Sequence, residues 1–197
     1  MKISKDKRNT NTAKRTISAF SNALLSLLQR NSFEQITIKM LCEESTYPRS
    51  TFYNYFEDIY DLAECIMEKL CEEIKLEDFR NIDHKIRSLT LFEMSYDVLS
   101  NHSEVIKKII KKNNYNGLFM QKVRNFMRKT ISNIVGNSEC IELFQISNEI
   151  MKQHYSNTIQ LVLEQCFLAI DPIPKEEAVK TLDFLLGTLE REAIGRE

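Results

Sequence analysis

Six polar side chains near residue 50 have types and spacing that suit hydrogen bonding to a nucleic acid. They are Arg49, Ser50, Thr51, Tyr53, Asn54 and Tyr55. On a helix, Phe52 and Phe56 would lie four residues apart on one inward face, which leaves the polar side chains largely outward. A guanidinium, hydroxyls and an amide are the groups that recognise base edges in the major groove of DNA. The sequence therefore predicts a short helix that reads double-stranded DNA.

The residues just before this helix predict a second helix and a tight break. Thr37 is a good N-cap because its hydroxyl can accept a bond from a free N–H of the first turn. Ile38, Leu41 and Cys42 then fall on one helical face. The three residues after Glu44 have little helical preference. Pro48 suits the first turn of the next helix, where its missing N–H costs nothing.

Together these residues resemble the helix-turn-helix signature of the TetR/AcrR family of transcriptional regulators. The family pattern Thr-Val…Ser-x-x-Thr-Leu-Tyr-x-x-Phe…Leu is matched, with conservative changes, by Thr37-Ile38, the run 49–53, Phe56 and Leu62. The resemblance covers about residues 10 to 66. It implies an all-α fold, with an amino-terminal three-helix DNA-binding domain and a carboxy-terminal helical domain for effector binding and dimerisation.

Two positions depart from the family pattern. Thr46 stands where the family has its turn glycine, so we expect a turn that is less tight or strained. Ile59 stands where the family has a lysine that contacts phosphate at the start of the next helix. We therefore expect one backbone contact to be missing.

The resemblance also implies which residues touch DNA. The expected set is Thr37, Lys39, Arg49, Ser50, Thr51, Tyr53, Asn54 and Tyr55. Thr37 would hold a phosphate through its hydroxyl and the helix amino end, with the lysine assisting nearby. Arg49, Thr51 and Asn54 would read base edges, with the arginine at guanine. The two tyrosines match family positions that hold phosphate or sugar, and the serine is a weaker candidate.

Composition and charge agree with this interpretation. The chain has 197 residues, 43% of them hydrophobic, with only four glycines and three prolines, which favours long helices over many-stranded sheet. The net charge is −1, yet residues 1–56 carry +5 and the remainder −6. A basic amino end on an acidic body suits a protein that touches DNA through one end. Within it, Lys2, Lys5, Lys7 and Arg8 form a basic arm expected to meet phosphate.

Hydrophobic periodicity places the remaining helices. A first helix over about Thr12–Arg30 should pack on the reading helices, with Phe33 and Ile36 filling the core from a loop. A helix capped by Glu57-Asp58 is expected to run to about Glu77 and to belong to both halves of the molecule. Further helical segments are predicted over about residues 84–101, 103–112, 118–134, 139–170 and 174–192. The range 139–170 contains one long helix, alone or preceded by a short one that breaks near Ser147.

The predicted domains are residues 1–58, which bind DNA, and residues 59–197, which dimerise and bind an effector. Aromatic side chains on the later helices are candidates for lining an effector cavity, although aromatic residues on helices also form ordinary core. The candidates are Phe92, Tyr96, Phe119, Phe126 and Tyr155. The expected effector is a small, mostly apolar molecule.

Apolar stripes on the last two helices predict a homodimer. Each stripe is wider than one partner helix in its own chain needs to cover, so a second copy is expected to cover the rest in a four-helix bundle. The predicted interface comprises Ile159, Val162, Leu163, Cys166, Phe167, Leu182, Leu185, Leu186 and Leu189. The alternative is that these residues complete the core of a monomer.

Several other classes of protein are disfavoured. Three dispersed histidines predict no metal site, and no G-x-S-x-G, P-loop or G-x-G-x-x-G motif is present, so we expect no cofactor and no catalysis. Five cysteines, an odd number without a C-x-x-C pair, indicate a reduced, cytoplasmic protein. We expect neither a signal peptide nor a membrane span.

The sequence thus predicts a homodimeric, ligand-responsive transcriptional repressor that binds a palindromic operator. One alternative is a regulator whose carboxy-terminal domain binds a protein partner rather than a small molecule. Activation rather than repression would fit that alternative. A remote alternative is a small α-helical enzyme. The operator, the effector and the sign of regulation are left open.

Overall fold

The structure is a computed structural model that describes residues 10–74, 84–135, 147–169 and 171–194. Within these ranges the chain forms nine α-helices and no strand, which confirms the all-α prediction. The helices are α1 (Asn11–Leu28), α2 (Ile38–Ser45), α3 (Arg49–Tyr53), α4 (Ile59–Glu72), α5 (His84–Asn101), α6 (Ser103–Lys112), α7 (Leu118–Val135), α8 (Asn148–Phe167) and α9 (Lys175–Ile194). A 3-10 helix, Phe33–Gln35, lies between α1 and α2.

The chain divides into two compact units. The amino-terminal unit comprises Met1–Glu72 and Glu104–Met120, and the carboxy-terminal unit comprises Glu73–Ser103 and Gln121–Glu197. The helices α1 to α4 and most of α6 therefore belong to the same unit. The division of function at residues 58 and 59 remains a prediction.

The core of the amino-terminal unit is built on one face of α1. Thr10 caps this helix, since its hydroxyl accepts from the Ala13 N–H at 3.2 Å. One apolar stripe at helical spacing along α1 is buried throughout: Ile17, Phe20, Leu24, Leu27 and Leu28. The Phe20 ring meets Phe52 and Phe56 edge-on, with centroids 5.4 and 6.1 Å away. This aromatic cluster fixes α3 on α1.

The α4 helix begins as predicted and ends earlier. The Asp58 carboxylate accepts from the Asp61 N–H at 2.9 Å, which caps the first turn. The helix ends at Glu72 rather than about Glu77. Glu73 lies just beyond it, and its Oε2 atom is 3.0 Å from Nε2 of His102. Residues 75–83 lie outside the described part.

A contact between residues far apart in sequence completes the amino-terminal unit. The Asn113 side chain accepts from the Phe33 N–H at 2.8 Å and donates to the Ile109 carbonyl, also at 2.8 Å. The Phe33 ring stacks on Phe119, with centroids 4.3 Å apart and planes 9° apart. Asn113 is buried although it belongs to a segment that reads as a loop. The carboxyl end of α6 is therefore anchored to the connection between α1 and α2.

The carboxy-terminal unit has a separate apolar core. The helices α5, α7, α8 and α9 contribute to it, and α9 packs on both α8 and α5. The buried members are Leu91, Phe92, Ile131, Val135, Met151, Tyr155, Ile159, Val162, Leu163, Cys166, Ala178, Leu182 and Leu186. Burial raises the pKa of the Cys166 thiol to about 11, so this cysteine stays protonated at neutral pH.

The turn between α2 and α3 is strained at the position where the resembled family has glycine. Thr46 adopts the left-handed conformation, with φ 61° and ψ 20°, and among the described residues no other non-glycine residue has a positive φ. Its hydroxyl donates to the neighbouring Ser45 carbonyl at 2.7 Å. The expectation of strain at this turn therefore has a direct structural basis.

We expect the Thr46→Gly variant to be more stable than the parent. The left-handed conformation costs a non-glycine residue roughly 1–2 kcal/mol, whereas glycine costs about 0.5–1 kcal/mol in chain entropy. The net gain should be up to about 1.5 kcal/mol. Chemical denaturation measures it, with Thr46→Ala as the control because alanine keeps the strain. A larger gain in the alanine variant would contradict this explanation.

Candidate nucleic-acid interface

The amino end of α2 is well formed for holding an anion. Thr37 is in extended conformation, with φ −115° and ψ 157°, and its hydroxyl accepts from the Met40 N–H at 3.3 Å. The N-cap role predicted from the sequence is confirmed. The side chain is exposed, and the free N–H groups of the first turn give this end of the helix a partial positive charge. Lys39, also exposed, lies within that turn, with Nζ 3.8 Å from Oε1 of Glu43.

The start of α3 differs by one residue from the prediction. Pro48 is the N-cap rather than a residue of the first turn, because its ψ of 156° is extended. Its carbonyl accepts from the N–H groups of Thr51 at 3.0 Å and Phe52 at 3.3 Å. Proline still suits this position, since no helical carbonyl is available for an N–H there.

The α3 helix presents the predicted polar face. Phe52 on α3 and Phe56, three residues beyond its carboxyl end, are buried, as expected, and direct the opposite face of this segment outward. The exposed residues are Arg49, Ser50, Tyr53 and Asn54, while Thr51 and Tyr55 are half-buried. The structure therefore brings all six side chains onto one short segment, with two of them less accessible than the others.

Arg49 is held in place by a side chain one turn further on. Its Nη2 donates to the Tyr53 hydroxyl at 3.1 Å, and its guanidinium carbon lies 5.5 Å from the centroid of the Tyr53 ring. The hydrogen bond raises the pKa of the guanidinium by favouring its charged form. A cation–π contact of this kind restrains an arginine without neutralising it. The arginine is therefore an oriented, exposed cation at the amino end of α3.

The helix α2 is tied to α1 by an exposed polar network. Oε1 of Glu44 accepts from the Ser26 hydroxyl at 2.7 Å and from Nη2 of Arg30 at 2.8 Å. These two bonds lower the pKa of the Glu44 carboxyl. An open cleft of about 440 Å³ lies beside this network, and its lining includes Glu43 as well as Glu44. Arg30 lines the cleft too, but its guanidinium is already paired with Glu44, so the cleft is a poorer place for a phosphate than the α3 face.

The predicted effector-binding aromatics do not form one group. Phe92 and Tyr155 are buried in the carboxy-terminal core, and the half-buried Tyr96 packs there 5.9 Å from the Phe92 ring. Phe126 is half-buried. Phe119 belongs instead to the amino-terminal unit, where its ring stacks on Phe33. A pocket lined by the first three remains a prediction.

Most of the predicted dimer interface lies inside the core of a single chain. Six of its residues are buried there: Ile159, Val162, Leu163, Cys166, Leu182 and Leu186. Phe167 is half-buried with its ring 4.9 Å from that of Tyr96, and Leu185 is exposed. The side chain of Leu189 lies outside the described part. The six buried residues present no surface to a second copy, because the neighbouring helices of their own chain already cover them.

Other apolar residues on the same two helices are exposed, and sequence analysis missed them. Phe184 is 70% exposed and Leu161 is 53% exposed. Phe184 directly precedes Leu185, and Leu161 directly precedes Val162, both of which belong to the predicted interface. The signal was available in the sequence as apolar residues on the polar side of an amphipathic helix.

A buried polar group in the carboxy-terminal unit was also missed. Oε1 of Glu164 accepts from Nε of Arg124 at 3.2 Å and from Nε2 of Gln160 at 2.5 Å. These residues come from α7 and α8, and the carboxylate is largely buried. A buried carboxylate is tolerated where a cation and a hydrogen-bond donor compensate its lost hydration.

Within the described ranges, no three His, Cys, Asp or Glu side chains are grouped so that they could hold a metal ion. In the same ranges no helix combines the length and apolarity needed to cross a membrane.

Comparisons with known proteins support the fold. The sequence matches no family model and no curated protein. Among solved structures, the chain is similar to a protein described as a TetR-family transcriptional regulator from Syntrophomonas wolfei. The TM-score is 0.67 at 16% sequence identity, over 92% of this chain and 96% of that one. The chain therefore has a TetR-like fold, as the helix-turn-helix resemblance implied.

Proposed function

We propose that this protein is a DNA-binding transcriptional regulator that reads double-stranded DNA through α3. The observation that carries the proposal is the α3 face. Arg49 and Ser50 on the helix and its C-cap Asn54 are exposed, while buried phenylalanines fix the opposite side of this segment. A short helix held rigidly with donors outward is the usual means of entering a major groove. The TetR-like fold of the whole chain supports the same function.

In this proposal α2 and α3 have different tasks. The amino end of α2, with Thr37 and Lys39, contacts phosphate and sets the position of the unit on the duplex. Arg49 turns its fork of N–H donors to O6 and N7 of a guanine. Asn54 and Thr51 contact neighbouring base edges, while Tyr53 and Tyr55 contact phosphate or sugar. The basic arm of residues 2–8 lies outside the described part, and we propose that it adds phosphate contacts without sequence preference.

We further propose that the protein is a homodimeric repressor that responds to a small, mostly apolar effector. Two reading helices about 34 Å apart would enter successive major grooves of a palindrome. An effector that binds better to a conformation with a different spacing would lower operator affinity by its differential binding to the two states. The aromatic residues Phe92, Tyr96 and Tyr155 are the candidates for contacting it.

The function can be tested by selecting bound fragments from the source genome and titrating the recovered duplex. We expect one enriched motif with two-fold symmetry, bound at least a thousandfold more tightly than a scrambled duplex, as specific regulators typically are. Fragments with no common motif would contradict a sequence-reading function. A motif without symmetry would contradict only the dimer.

We expect the double variant Phe184→Ser/Leu161→Ser to be monomeric and to bind DNA weakly. Both side chains are exposed, so their replacement leaves the core of each chain intact while removing apolar surface from the dimer. Analytical ultracentrifugation measures the change. The matched control is Asn157→Ser/Asp183→Ser on the same two helices, which should remain dimeric. A dimeric Phe184→Ser/Leu161→Ser variant would place the interface elsewhere.

A further inference from the structure

The middle of the chain contains a strongly basic segment that the reading helix does not explain. Between Val105 and Ser138 there are eight lysines and arginines and no aspartate or glutamate. This run stands in a chain whose net charge is −1. Half of the eight are on α6, which is ten residues long.

The four lysines of α6 form one exposed face. They are Lys107, Lys108, Lys111 and Lys112. The four apolar residues of the helix are half-buried on the other side: Val105, Ile106, Ile109 and Ile110. Lys107 pairs with Glu104, with Nζ 3.3 Å from Oε1. In the described part of the chain, no carboxylate lies within ion-pair distance of the last three lysines.

The position of this lysine face is set by the contact described above. Asn113 follows Lys112 directly and bonds to the N–H of Phe33. Phe33 precedes Thr37 by four residues, so the two Cα atoms are at most about 14 Å apart. The carboxyl end of α6 is thus anchored close to the segment that leads into the proposed phosphate-binding end of α2. All of these residues belong to the amino-terminal unit.

We propose that Lys108, Lys111 and Lys112 form a second DNA-contacting surface, which binds backbone phosphates flanking the site that α3 reads. The proposal rests on the proposed DNA-binding function and extends it. Lysine ammonium groups bind phosphate as point charges and carry no information about the bases. The surface adds affinity for any duplex long enough to reach it, and it leaves the ratio of specific to non-specific affinity unchanged.

The expected signature is a change in the salt dependence of binding. Each phosphate contact releases condensed counterions and contributes about 0.9 to the slope of log affinity against log salt. The variant Lys111→Gln/Lys112→Gln removes two charges from the face, and glutamine retains good helix propensity. On a long duplex of mixed sequence we expect the slope to fall by about 1.8 per bound chain. On a duplex trimmed to the operator the fall should be smaller.

The matched control is Lys152→Gln/Lys180→Gln, which removes the same charge from α8 and α9 in the other unit. Its slope should equal that of the parent. A second variant, Lys111→Arg/Lys112→Arg, keeps the charge and should restore the parent slope. Circular dichroism confirms that each variant keeps its helix content.

The possible results distinguish failure of the α6 surface from failure of the DNA-binding function on which it rests. If the parent binds neither duplex, the DNA-binding function itself fails. If the parent binds DNA, but Lys111→Gln/Lys112→Gln has the same salt slope on the long duplex as Lys152→Gln/Lys180→Gln, only the α6 surface is overturned. Binding to vesicles that contain phosphatidylserine is measured as well, because an anionic membrane could also attract the lysine face. Loss of vesicle binding in the α6 variant with an unchanged duplex slope would also overturn the proposal.

Discussion

Replacing Phe20 with alanine is expected to destabilise the amino-terminal unit by about 3–5 kcal/mol. Phe20 is fully buried, and its ring contacts those of Tyr47, Phe52 and Phe56. Removal of the ring leaves a cavity beneath α3 and deletes the edge-to-face contacts that orient it. This is a large fraction of the unit's stability, because whole domains are stabilised by only about 5–15 kcal/mol.

Hydrogen exchange with peptide resolution measures this effect in each unit separately. We expect protection in α1 and α3 to fall by about two to four orders of magnitude, since every 1.4 kcal/mol corresponds to about tenfold. Peptides from α8, which belongs to the other unit, are the internal reference. Ser18→Ala, an exposed change on α1, is the matched control. Unchanged α3 protection in Phe20→Ala would show that the aromatic cluster does not hold α3 in place.

Replacing Arg49 with alanine should remove most of the discrimination at one base pair of the operator. A bidentate arginine–guanine contact contributes about 1–3 kcal/mol of discrimination, which corresponds to about 5- to 150-fold. The fold should be unaffected, because Arg49 is exposed and belongs to no buried stripe. Titrations on the operator and on single-base-pair variants measure the ratio.

Two further variants make the Arg49 experiment specific. Arg30→Ala is the matched control, because Arg30 belongs to the same unit but lies outside α3 and pairs with Glu44. This variant should keep the parent's full discrimination between base pairs. Tyr53→Phe removes the hydroxyl that accepts from Arg49 while keeping the ring beside it. It should weaken operator binding less than Arg49→Ala does. Equal discrimination by the Arg49→Ala variant and the parent would place base reading on another residue.

Features that depend on neighbouring residues were predictable from the sequence. The buried stripe of α1, the Thr37 cap and the inward phenylalanines of the segment 49–56 all follow from helical period and capping chemistry. The strain at Thr46 follows from the absence of glycine at a turn that needs a positive φ. Each of these needs only a few neighbouring side chains or a motif match to be inferred.

Features that depend on what covers an apolar face were not predictable. The stripes containing Leu163 and Leu182 were correctly identified as apolar, yet amphipathic periodicity does not say whether the covering helix belongs to the same chain. The structure covers them within one chain. Phe119 was likewise assigned to an effector cavity. Its stacking on Phe33 could not be foreseen, since no local pattern connects the two residues. A polar loop residue such as Asn113 gave no sign of burial.

The bond from Asn113 to Phe33 also bears on how this protein folds as it is synthesised. The two residues are 80 positions apart, and chains with such distant contacts close them slowly because loop-closure entropy must be lost first. All the proposed base-reading residues leave the ribosome well before Asn113 and Phe119 do. A nascent chain ending at Glu72 would hold the complete helix-turn-helix, yet Phe33 would lack both its hydrogen-bond acceptor and its stacking partner. The amino-terminal unit therefore reaches its final form only after residue 119 has been synthesised.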